Sequence, residues 1–124
     1  MKFSVIGLGY VGLSISILLS QKYKVDAIDI DKNKLKLIND RISPIQDKDI
    51  EYFFKKKNLN IKVSNKISSE KSKYYIVCTP TNYNELTGSF DTKSVELVIR
   101  NIVSVDKRAI IIIKSTIPLG FTDY

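Results

Sequence analysis

Three glycines, Gly7, Gly9 and Gly12, separate a short apolar run, Lys2–Ile6 (KFSVI), from residues 10–21, where Val11, Ile15, Leu18 and Leu19 recur at helical spacing. A strand that ends on glycine and restarts at once as a helix is compatible with few folds, because the turn must lay the helix back onto its own strand. The remaining chain repeats the alternation. Residues 24–30 (KVDAIDI) predict a second strand, and Asp31 caps a helix, Lys32–Asn39, that shows Leu35 and Ile38. Ser43-Pro44 breaks it, since the residue before proline is driven out of the helical region. Asp47 caps a further helix to about Lys57, with Ile50, Phe53 and Phe54 on one stripe. Ile61–Ser64 predicts a weak strand and residues 74–79 (YYIVCT) a strong one. Residues 81–90 predict a loop, and Asp91 the cap of a helix carrying Val95, Val98, Ile99, Ile102 and Val103. Residues 109–115 (AIIIIKS) are so apolar that they predict a central parallel strand buried on both faces.

Strands alternating with helices predict an α/β fold: a Rossmann-type doubly wound parallel sheet with right-handed crossovers, one domain over residues 1–124. Residues 118–122 predict a turn into another helix. The expectation is therefore the front part of a longer protein, truncated after its fifth strand.

Charge and composition remove several function classes. Of 20 Lys and Arg against 13 Asp and Glu, 17 are lysines, scattered apart from Lys55-Lys56-Lys57. With few arginines, no interleaved aromatics and no recognition element, no nucleic-acid partner is expected, and the triple-lysine run is a solvated helix end. The apolar stretch 11–19 is interrupted by Gly12, Ser14 and Ser16 and falls short of the roughly 18 residues that cross a bilayer. Residues 1–20 lack a signal peptide's cleavage site, so the expectation is a soluble, cytoplasmic chain without a membrane partner. Histidine is absent, which excludes histidine metal ligation and histidine acid–base catalysis within these residues. The single cysteine excludes an internal disulfide.

Gly7-Leu8-Gly9-Tyr10-Val11-Gly12 matches the dinucleotide fingerprint in the context it requires. Gly7 permits the tight turn, Gly9 lets a pyrophosphate approach the backbone, and Gly12 lets the helix pack on the sheet. The N–H groups near Tyr10 and Val11 would meet the phosphates at the positive end of the helix dipole. Alone the pattern also describes a glycine-rich turn with no ligand. Asp29 adds to it: it closes the second strand 17 residues after Gly12, where a carboxylate accepts ribose hydroxyls. Asp29 and Asp31 would together repel a 2′-phosphate, which favours NAD over NADP.

Other candidates carry two readings each. Lys34 could lie over the adenosine side or be one more exposed helix lysine. Thr81 and Thr116 follow strand ends, where hydroxyls would reach the nicotinamide half, yet both residue types are ordinary in turns. Cys78 lies in an apolar strand with nothing to activate it and is expected to be a small core residue.

Taken in order, GLGYVGLS (7–14), the Asp29 strand end, SPIQD (43–47), TPTNYN (79–84), FDTKSVE (90–96) and KSTIPLGFT (114–122) resemble the UDP-glucose/GDP-mannose dehydrogenase family along the whole chain. SPIQD and TPTNYN favour its UDP-glucose branch over the GDP-mannose and UDP-N-acetylhexosamine branches. The resemblance implies an enzyme of polysaccharide-precursor synthesis that oxidises UDP-glucose to UDP-glucuronate with two NAD⁺. It implies cofactor contacts from Gly7, Gly9, Tyr10, Val11, Gly12, Asp29, Lys34, Thr81 and Thr116, with Thr116 also helping to position the hydrolytic water. The family's nucleophilic cysteine, its UDP-sugar contacts and its dimerisation segment belong beyond residue 124, and Cys78 does not match the nucleophile's motif. The chain by itself is thus expected to bind NAD without turnover, and the full-length protein to be a homodimer. A rival of another class is a nucleotide-sensing regulatory module with the same glycines and strand-end acid.

Overall fold

The first strand of the computed structural model, β1 (Lys2–Ile6), lies at the centre of a five-stranded sheet. The structure describes residues 1–56, 58–79, 82–84, 89–91 and 93–114. The elements follow in the order β1, α1 (Tyr10–Ser20), β2 (Lys24–Ile28), α2 (Lys32–Asn39), α3 (Lys48–Lys56), β3 (Ile61–Ser64), β4 (Tyr74–Val77), β5 (Asn82–Asn84), β6 (Ser89–Asp91), α4 (Lys93–Val105) and β7 (Ile110–Ile113). The sheet order is β3-β2-β1-β4-β7, and every pairing is parallel. The chain winds outward from β1 to β3, then returns to the other side of β1 for β4 and β7. That reversal opens a crevice at the carboxyl ends of β1 and β4.

Period-2 alternation divides the strand side chains between two cores. Phe3 and Val5 of β1, Val25 and Ala27 of β2 and Ile76 of β4 pack against Leu13 and Ile17 of α1, Leu35 and Ile38 of α2, and Ile50 and Phe54 of α3. Ile6, Ile28, Tyr75 and Val77 face the other way, onto Val95 and Ile102 of α4. Both faces are therefore helix-covered, as the doubly wound reading requires. Asp31 caps α2 through the N–H groups of Asn33 and Lys34, and Asp47 caps α3 through those of Asp49 and Ile50.

The strands end together. The last rungs of the ladders pair Ser64 with Ile28, Ile28 with Ile6, Ile6 with Val77, and Val77 with Ile113, one row across the sheet. This shortens two predicted strands. Residues 24–30 stop pairing at Ile28 and 74–79 at Val77, because β1, the partner of both, turns away at Gly7. Asp29 and Cys78 consequently stand just past the sheet.

Two further expectations are corrected. The predicted loop over 81–90 contains two antiparallel strands, β5 and β6, pairing Asn82 with Asp91, Tyr83 with Phe90 and Asn84 with Ser89. Asp91 is therefore a strand residue, and α4 begins only at Lys93. Three-residue strands are too short for a period to register in sequence. β7 is an edge strand, not a central one: its neighbour is β4 alone among the described residues. Ile111 and Ile113 pack toward α4, while Ile110 and Ile112 are 50% and 39% exposed.

Candidate functional site

The glycine turn is built by close approach. Gly7 adopts φ +94°, and a Cβ there would lie 2.7 Å from the Cys78 carbonyl carbon. A Cβ on Gly12 would lie 1.8 Å from the Gly7 carbonyl oxygen, so no side chain fits where α1 crosses the turn. Gly9 differs, since a Cβ there would meet nothing within 4 Å among the described residues. None of the described residues requires glycine at position 9, whereas a ligand pressed against the backbone would.

Gly9 is also the N-cap of α1, and no side chain caps that helix; its first turn holds no acidic residue. The helical ladder starts with Leu13 N–H donating to Gly9 O at 2.9 Å, so the amides of Tyr10, Val11 and Gly12 precede the first intrahelical donor. Tyr10 and Val11 are exposed around them. These three backbone donors at an uncapped, positively polarised helix end suit an anion such as a pyrophosphate.

Asp29 faces this turn from the end of β2. Its Oδ2 accepts the Leu8 N–H at 2.8 Å, and its Oδ1 accepts the Asp31 N–H at 2.9 Å. Lys34 Nζ, from the first turn of α2, stands 3.7 Å from Oδ2. The structure thus brings Gly7, Gly9, Tyr10, Val11, Gly12, Asp29 and Lys34 to one end of the sheet. Thr81 and Thr116 lie outside the described residues. Cys78 sits half-buried below the turn, where burial pushes its thiol pKa up and Lys114 draws it partly back. It is a packing residue rather than an activated nucleophile.

Sequence reasoning missed a cleft beside Asp29. Ile6, Ile28, Ile30, Ile67, Val98 and Val105 line a space of about 350 Å³ together with the polar Asn65, Lys66, Asn101 and Ser104. Ile30 is 91% exposed. The available signal was an isoleucine directly after a strand-closing aspartate, a position whose exposure depends on where β2 ends. A mainly isoleucine and valine lining with a few polar groups suits a flat, nitrogen-rich ring.

A doubly wound sheet with this turn at its switch point defines a dinucleotide-binding domain. The model of the UDP-glucose/GDP-mannose dehydrogenase family, NAD binding domain, matches residues 1–124, and the chain belongs to that family. Its cofactor is NAD. The chain is 43% identical to UDP-glucose 6-dehydrogenase of Streptococcus pneumoniae and 41% identical to that of Campylobacter jejuni, covering 98% of this chain and 32% of each relative. It is 34% identical to UDP-N-acetyl-D-mannosamine dehydrogenase of Pyrococcus horikoshii, over 99% of this chain and 30% of the relative. Among solved structures, UDP-N-acetyl-mannosamine dehydrogenase from Staphylococcus aureus superposes with a TM-score of 0.84 at 27% identity, over 99% of this chain and 31% of that one. The chain spans about a third of the length of the curated relatives it matches.

Proposed function

We propose that the chain is the cofactor-binding part of a UDP-glucose 6-dehydrogenase, an enzyme converting UDP-glucose to UDP-glucuronate with two NAD⁺. The observation that carries the site reading is Gly9: an exposed position where no described residue crowds a Cβ and a ligand on the backbone would call for glycine. The amides of Tyr10 and Val11 hold the pyrophosphate, and Gly7 and Gly12 keep the turn and α1 in register beneath it. Asp29 accepts the adenosine ribose hydroxyls, and Lys34 balances its charge from α2. Ile30 closes over an adenine lodged in the cleft of Ile6 and Ile28. Thr81 and Thr116 serve the nicotinamide half, and Thr116 helps to place the hydrolytic water. Bound NAD⁺ supplies a hydride acceptor; these residues supply binding and orientation.

Identities of 43% and 41% to two UDP-glucose dehydrogenases support the sugar assignment. UDP-N-acetyl-D-mannosamine is the second substrate reading, favoured by relatives at 34% identity. Residues 1–124 act as the front domain of a longer, homodimeric enzyme, and alone they bind NAD without oxidising the sugar.

Calorimetric titration with NAD⁺ and NADP⁺ tests the site. Saturable NAD⁺ binding, little NADP⁺ binding and a marked loss with Asp29→Ala are expected. Absence of NAD⁺ heat would remove the site reading. NADH formation by a protein of the relatives' length, with UDP-glucose and with UDP-N-acetyl-D-mannosamine, decides the substrate.

A further inference from the structure

We propose that Asp29 is a positioning residue for the phosphate turn as well as a reader of ribose: its carboxylate fixes the turn before any cofactor arrives. The inference rests on the functional reading above and deepens it. Leu8 lies between Gly7 and Gly9, two residues that offer the backbone the widest choice of conformations. Its side chain is anchored in the core at 1% exposure, which holds one side of the turn. Its N–H points the other way and donates to Asp29 Oδ2 at 2.8 Å.

The carboxylate is itself held. Oδ1 accepts the Asp31 N–H at 2.9 Å, and Asp31 in turn is locked as the cap of α2. The side chain of Asp29 is only 12% exposed, so water replaces it poorly and its removal leaves the Leu8 N–H without an acceptor. One chain of bonds therefore runs from the N-terminus of α2 through Asp29 to the turn that aims the α1 amides. A carboxylate has about four lone-pair sites, so two main-chain donors leave room for two ribose hydroxyls. The two roles coexist on one group.

They differ in sign when the ligand has no ribose. Removing an anion near a phosphate site tightens an inorganic anion if Asp29 only reads ribose. It weakens that anion if Asp29 holds the turn. The experiment titrates the chain with NAD⁺ by calorimetry and with inorganic pyrophosphate by the amide resonances of Tyr10 and Val11, for wild type, Asp29→Ala and Asp29→Asn.

In Asp29→Ala both ligands are expected to weaken, pyrophosphate by about tenfold, the effect of a charged hydrogen bond lost. Asp29→Asn keeps an acceptor for Leu8 and is expected to lose far more affinity for NAD⁺ than for pyrophosphate. Pyrophosphate binding Asp29→Ala as tightly as wild type, or more tightly, overturns the proposal. Should Asp29→Ala fail to fold, the Leu8 amide of the wild type carries the test: a downfield, slowly exchanging resonance supports the bond, and rapid exchange overturns it. A wild-type chain that binds neither ligand overturns the functional reading and this inference with it.

Discussion

A Cβ on Gly12 would sit 1.8 Å from the carbonyl oxygen of Gly7, while one on Gly9, two residues beyond Gly7, would meet nothing among the described residues. Stability and binding therefore separate along one turn. Gly12→Ala forces α1 off β1 and is expected to destabilise the chain by about 1–3 kcal/mol in urea unfolding. Gly9→Ala is expected to cost under about 1 kcal/mol, the scale of an N-cap change, yet to abolish measurable NAD⁺ binding. Equal losses of affinity and stability in both variants would contradict this division.

Lys34 lies 3.7 Å from Asp29 and is partly exposed. A long pair whose lysine keeps contact with solvent contributes at most about 1 kcal/mol, so Lys34→Gln should leave the urea midpoint nearly unchanged. NAD⁺ affinity should fall several-fold, and the fall should shrink as salt rises. A salt-independent loss would point to packing instead of charge.

Burial raises the Cys78 thiol pKa, with Lys114 opposing. The folded state thus keeps its proton at alkalinities where the unfolded chain releases it, so this group's contribution to stability is present below the unfolded thiol's pKa and is lost as pH rises through the folded one. Iodoacetamide should modify Cys78 more slowly in native chain than in urea across the neutral range. Native alkylation as fast as that of the unfolded chain would refute the burial argument.

Ile110 and Ile112 project from the outermost described strand at 50% and 39% exposure. An apolar edge of this sort invites pairing with another molecule. Ile112→Lys should lower any concentration-dependent association of the 124-residue chain in sedimentation, with stability changing by no more than about 0.5 kcal/mol. Unaltered association would place the sticky surface elsewhere.

What the letters disclosed was local chemistry. Asp31 and Asp47 were readable as caps because each bonds amides two and three residues ahead. The glycine turn and Asp29 were readable because spacing alone places them at neighbouring strand ends. Long-range order was not. Four isoleucines in a row look alike at the centre or edge of a sheet, and only the return of the chain past β1 puts β7 outermost among the described strands. The bond from Leu8 to Asp29 was invisible for another reason: every residue but proline has an amide, so no letter marks the one that is used. Ile30 was assigned to a strand because nothing in 24–30 says that its partner has already turned away.

Ser64, Ile28, Ile6, Val77 and Ile113 end their strands on one row, and Gly7, Gly9 and Asp29 stand just past it. A frame finished along a single line lets evolution exchange one hanging loop without disturbing the joints below. The row is thus a boundary between two kinds of change: below it a substitution disturbs packing, and past it a substitution disturbs only what the loop holds.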